Sequence, residues 1–199
     1  MHHPTYVRRA AATAAVLALA LTACTTSEGT GDGKGFNDAD VDFAGDMIQH
    51  HAQALEMVDL TLGRDLDPEV AALAEDIRAA QAPEIETMAD WLEDWDEPVP
   101  ATSRDHANAH AEEHGDGGAV DEDMPGMMSA EQMAALEKAP DGDFEDLWME
   151  MMIEHHQGAV EMAETVLDEG ESKKVSSLAE DVVEAQQAEI ATMQSLLEG

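Results

Sequence analysis

Residues 151–164 read MMIEHHQGAVEMAE, and residues 46–59 read DMIQHHAQALEMVD. Met47, Ile48, His50, His51, Ala54, Glu56 and Met57 fall on Met152, Ile153, His155, His156, Ala159, Glu161 and Met162, at the constant offset of 105 that separates His50 from His155. The same offset, without a gap, carries Leu73, Ala74, Glu75 and Asp76 onto Leu178, Ala179, Glu180 and Asp181. It also carries Gln81, Glu84, Ile85, Thr87 and Met88 onto Gln186, Glu189, Ile190, Thr192 and Met193. An ungapped match that runs on from one such segment into the next is the duplication of a whole supersecondary unit. Chemistry carried by these positions is therefore exercised twice, or at the junction of the two copies.

The unit is a helical hairpin. From about Val41, the residues Met47, Ile48, His51, Leu55, Val58 and Leu62 recur at three- and four-residue steps, the period of one helix face. Gly63 is expected to end this helix. Asp67-Pro68 supplies an N-cap followed by proline at the first helical position. It opens a second helix through Val70, Leu73, Ile77, Ile85, Met88 and Leu92, which Pro83 is expected to kink. The copy begins near Asp143 and runs to Leu167; its second helix is expected to be capped by Ser172 and to end near Leu197. No convincing alternating strand occurs. The expectation is an all-α four-helix bundle built from two duplicated hairpins, occupying residues 38–199 with copies at 43–95 and 144–198. The connection, 96–142, holds a glycine run at Gly115–Gly118, the segment Met124-Pro125-Gly126-Met127-Met128, and a short helix opened by a Ser129–Gln132 capping box.

The first residues point outside the cytoplasm. Arg8 and Arg9 precede an apolar run from Ala10 to Leu21, too short to span a bilayer, and Leu21-Thr22-Ala23-Cys24 has the form of a bacterial lipobox. Cys24 is the single cysteine of the chain. The expected scheme is a lipoprotein signal peptide over 1–23, acylation at Cys24, and a Gly/Thr/Ser-rich tether over 24–37. The mature chain would then have neither a disulfide nor a thiolate ligand. The formal net charge is −36, and removal of the leader takes two arginines and no acid. Such a balance repels nucleic acid and anionic headgroups and attracts cations, although an acidic surface that keeps an exported protein soluble accounts for most of it.

On a helical wheel, Met47, His50, His51, Ala54 and Met57 share an arc of about 120°. Two imidazoles and two thioethers thus project together, and Met152, His155, His156 and Met162 repeat them. Imidazole is the commonest neutral metal ligand, and thioether adds affinity for soft Cu(I) or Ag(I) but little for Zn, Mg or Ca. The bland reading is core filling by methionine and satisfied buried histidines; against it stands the cost of burying four imidazoles in one small bundle. The connection adds His106, His110 and His114 at four-residue steps, then Met124, Met127 and Met128, a compositional metal-binding signal that a solvated linker would also produce. A bundle di-iron site uses Glu-x-x-His on two helices, and no Glu-x-x-His occurs in the chain. Hydrolytic or redox metal catalysis is therefore demoted, and no nucleophile set or phosphate loop takes its place.

At MIxHHxxA, at MIxHHQGAxxMA and at MPGMMS, the chain resembles the bacterial family known as domain of unknown function 305, and in particular its lipoprotein members from high-GC Gram-positive bacteria. The resemblance covers about residues 38–198. It implies a ferritin-like four-helix fold, and similarity to periplasmic copper-binding members implies binding of Cu or Ag by Met and His. His155, His156, Met152 and Met162 match the motif well. The first copy departs from it, with Ala52 and Gln53 where the second has Gln157 and Gly158. The leading expectation is a lipid-anchored, exported copper-binding protein, with Cu(I) favoured and no catalysis, that buffers, sequesters or passes on the metal. The alternative is a structural or interaction bundle whose histidines only organise the core, and an oxidoreductase built on a core metal stands third.

Overall fold

A computed structural model of the chain describes residues 35–102 and 124–199. The leader, Cys24, most of the tether, and His106, His110 and His114 lie outside the described residues. The described elements are all helical: α1 (Asp38–Asp59), α2 (Pro68–Asp94), the short α3 (Ala130–Lys138), α4 (Asp141–Glu169) and α5 (Lys173–Glu198). Four long helices form a bundle, α1 pairing with α2 and α4 with α5. The hairpins meet mainly through α1 on α4, while α2 touches α5 more thinly.

Local chemistry sets the helix ends. Asn37 and Asp40 form a capping box that starts α1 three residues before the apolar period begins. Asp67 accepts from the Glu69 N–H ahead of Pro68, and Ser129 and Gln132 cap α3 reciprocally. Helix α2 continues through Pro83 to Asp94. Two expected boundaries are corrected. Helix α1 ends at Asp59, because the Thr61 hydroxyl and N–H both turn back to the Val58 carbonyl; Gly63 sits in the following turn at φ +81. Ser172 occupies the N-cap of α5 but its side chain makes no capping bond.

What holds that N-terminus is a carboxylate from the other hairpin. Buried Asp40 accepts the N–H groups of Glu171 and Ser172 at 3.0 Å each. Glu145, the counterpart of Asp40, accepts the N–H of Asp67, the counterpart of Ser172. Each copy thus caps the second helix of the other, as a pseudo-twofold relation between hairpins requires. These contacts join the start of α1 to the end of α4, so the two run antiparallel and their midpoints, His50-His51 and His155-His156, meet.

The same exchange relates the two apolar clusters of the core. One gathers Met57, Met152 and Met193 with Phe144 and Trp148; the other gathers Met47 and Met88 with Phe43 and Val175, and Met162 packs against it. Under the offset of 105, Met57, Met152 and Met193 become Met162, Met47 and Met88. The histidine layer lies between them along α1 and α4.

Candidate metal centre

Each element contributes to the layer through its middle turns. His50, His51, His155 and His156 are all fully buried. The His50 and His155 rings face each other across the α1–α4 contact with centroids 3.8 Å apart and planes inclined by 38°. His51 and His156 turn outward to the second helices of their own hairpins. His51 Nε2 lies 2.7 Å from Glu84 Oε2, and His156 Nε2 lies 2.7 Å from Glu189 Oε2. The equality of these two contacts is the duplication expressed in side-chain geometry.

The centre is not symmetric in every bond. His50 Nε2 donates to the Pro125 carbonyl at 3.0 Å, whereas neither ring nitrogen of His155 has a hydrogen-bond partner. The Nδ1 atoms of His50, His51 and His156 are likewise buried without a partner. A buried polar atom left unpaired costs about 1–3 kcal/mol, so the layer concentrates a penalty that the fold does not relieve internally. Burial pushes His50 down to about 3, helped by His51 and opposed by the Pro125 carbonyl. His155 is held well below the ordinary imidazole range by burial and then by His50 and its other histidine neighbours, opposed only weakly by the backbone of His50, which approaches the ring without the geometry of a hydrogen bond. Both are therefore neutral in ordinary buffers, the form in which imidazole ligates.

The segment Met124–Ser129 docks on this centre. Gln53 accepts from the Met128 N–H and donates to its carbonyl, both at 2.7 Å. Gly126, at φ +74, crosses α4 so closely that a Cβ there would stand 2.7 Å from the Glu154 carbonyl oxygen, and a Cβ on Gly158 would collide with the backbone of Pro125. This accounts for the departure of the first copy from the motif. Gln53 and Gly158 are counterparts, and a single segment touches both: one position clasps it and the other makes room. Met124, Met127 and Met128 are correspondingly buried, so this end of the connection is packed rather than a solvated linker.

A family model for a domain of unknown function, DUF305, matches residues 40–197. The chain belongs to the DUF305 family. It is similar to the solved structure of a DUF305 fragment from Deinococcus radiodurans, at 33% identity and TM-score 0.66 over 81% of this chain and 97% of that one. A candidate secreted DUF305 protein from Streptomyces coelicolor matches at 32% identity and TM-score 0.65, covering 80% of this chain and 91% of that one. CopM in its Cu(I)-bound form matches at 28% identity and TM-score 0.60, covering 80% of this chain and 95% of that one. CopM has also been solved in Cu(II)-bound, silver-bound and apo forms. Among curated proteins the sequence has no match.

Of the expected DUF305 site residues, the fold brings the four histidines into one layer but does not bring the thioethers to one point. Met57 and Met152 lie to one side of the layer and Met47 and Met162 to the other. Among the described residues, no three His, Cys, Asp or Glu side chains converge as a ligand set. The residues missing from the sequence reading are Glu84 and Glu189, together with Gln81 and Gln186. Both glutamines are buried, and neither amide atom of Gln81 has a partner. All four stand at matched positions of the repeat, and that match was the available signal.

Proposed function

We propose that this protein binds copper or silver outside the cytoplasm, held to the membrane by acylation at Cys24, and that it buffers, sequesters or passes on the metal without catalysis. The observation that carries the metal reading is His155, fully buried against His50 with both ring nitrogens unpartnered. Neutral imidazoles flanked on either side by thioethers fit a soft monovalent ion better than Zn, Mg or Ca. Since no three of these side chains converge, an ion at this layer would be held by the facing pair His50 and His155, with Met57 and Met152 or Met47 and Met162 supplying sulfur and His51 and His156 joining only as the layer closes on the ion. The metal-bound forms of CopM support the same chemistry. The candidate secreted relative supports an exported protein. His106, His110 and His114, with Met124, Met127 and Met128, are proposed as a further donor set.

A second reading is favoured by the carboxylate bonds of His51 and His156, which satisfy one nitrogen of each as in an ordinary polar core. Titration with Cu(I) against a competing chelator separates the two. The double variant His155→Ala with His156→Ala should stay helical and lose at least tenfold in affinity. Undiminished binding by the folded variant would rule out the layer and move attention to the 106–128 segment.

A further inference from the structure

We infer that Glu84 and Glu189 are positioning residues that hold His51 and His156 in the Nε2–H tautomer, making Nδ1 the nitrogen each presents to a soft metal ion. This rests on the metal reading above. A neutral imidazole has one N–H and one lone pair, and the hydrogen bond made by one nitrogen decides which atom keeps the lone pair. A carboxylate accepts and does not donate, so the nitrogen 2.7 Å from Glu84 in one hairpin and 2.7 Å from Glu189 in the other carries the proton. In the neutral ring, the form that ligates, that leaves Nδ1 bare, and both Nδ1 atoms are buried without a hydrogen-bond partner. His50 reaches the same state by another route. Its Nε2 faces a carbonyl, which also only accepts, and its Nδ1 is again buried and unpartnered.

Three rings thus have their tautomer set by acceptors outside the layer, with the lone pair left on the unpartnered side. The acceptors are not a packing accident of one helix. Glu84 lies 33 residues after His51 and Glu189 lies 33 after His156, each from the neighbouring helix of its own hairpin. Both histidines are fully buried, while Glu84 and Glu189 keep about a fifth of their side chains in solvent, 21% and 17%. A partly hydrated carboxylate behind a buried imidazole is the arrangement that orients a metal-ligating histidine and raises its basicity. His155 has no carboxylate partner of this kind, so no acceptor outside the layer fixes its tautomer.

The test uses the chain labelled with 15N and kept metal-free. Long-range 1H–15N correlation of the imidazoles reads the tautomer directly, before any metal is added. His51 and His156 should both be Nε2–H. Glu84→Ala should turn His51 alone into a tautomer mixture and Glu189→Ala should do so for His156 alone. Glu84→Gln and Glu189→Gln, whose amide oxygen still accepts, should restore the Nε2–H form. In competition with a Cu(I) chelator the alanine variants should lose about 10–100-fold in affinity, and the glutamine variants should recover most of it, with circular dichroism confirming helical folds. Nδ1–H in the wild type, or alanine variants with unaltered tautomers and unaltered affinity, would overturn the inference while leaving copper binding intact. Nε2–H tautomers with no copper-dependent shift at any of the four rings would instead overturn the metal reading, and the carboxylates would then have no ligand to position.

Discussion

His155 and Gly158 stand three residues apart and meet opposite demands, one burying polar atoms without partners and the other making room for a backbone. For the histidines, the consequence is a pH dependence. The native value of His50 lies near 3, against about 6.5 in an unfolded chain. Between those values the unfolded state binds more protons, so stability rises with pH. The contribution is complete above pH 6.5 and is lost as pH falls toward 3, and His155 acts in the same direction. Urea unfolding of the apo protein between pH 4.5 and 7 should show a slope that falls by up to ~1.4 kcal/mol per pH unit when His155 is replaced by glutamine. A slope unchanged by His155→Gln would mean that this ring is not held neutral by burial. His50 keeps its neutral, ligating form well below the ordinary imidazole range.

Gly158→Ala tests the docked segment. The new Cβ would strike the Pro125 backbone, so overpacking should cost about 1–3 kcal/mol and loosen the His50–Pro125 bond. Gly45→Ala, also on a helix but with nothing near its Cβ, should gain up to ~1 kcal/mol from propensity. Thermal unfolding of the pair reads both, and equal shifts would deny the close crossing. The histidines were legible in the sequence because adjacent repeats are visible as letters. Glu84 and Glu189 were visible only as identities, since a contact between helices leaves no local spacing to read. Gln53 looked like a departure from the motif because its reason, the docked Met124–Ser129 segment, lies in a third part of the chain.

At the level of elements, the helix starts that depend on neighbouring residues were readable and those that depend on the other hairpin were not. Asp67-Pro68 and Ser129–Gln132 announce themselves. Ser172 looks like a cap, but the N–H groups at the start of α5 are taken by Asp40, 132 residues away in sequence. The two reciprocal caps should differ in strength. Asp40 is fully buried and also accepts the Asn37 N–H at 2.8 Å, so Asp40→Ala would strand the buried Ser172 donor together with the part-buried donors of Glu171 and Asn37. At about 1–3 kcal/mol for each buried group left unpaired, it should destabilise the protein by at least ~2 kcal/mol. Glu145 bonds Asp67 in an exposed setting, where water replaces the lost acceptor, and Glu145→Ala should cost less than ~1 kcal/mol. Denaturant midpoints decide it. Equal losses would mean that burial does not set the difference between the two caps.

For the whole molecule, duplication and charge set different constraints. The duplication makes one interface carry both the structure and the candidate site, because the α1–α4 contact that joins the hairpins is also where His50 meets His155. The charge governs what the surface can approach. With 45 acidic residues against 9 lysines and arginines, the protein is repelled by anionic headgroups, and no electrostatic term can hold it at such a membrane. The proposed retention at the cell surface would then rest on the acyl chains proposed for Cys24, at roughly 0.8 kcal/mol per buried methylene. Cys24→Ala should therefore release the protein completely into the soluble fraction, at low and at high salt alike. A partner holding it through its acidic face would give a different result. The variant would stay with the membrane at low salt and come off as the Debye length shrinks to about 3 Å near 1 M. Fractionating wild type and Cys24→Ala across that salt range separates the two. Membrane partition that is unchanged in the variant and insensitive to salt would remove the lipid anchor from the proposed function, leaving the metal reading to stand on the histidine layer alone.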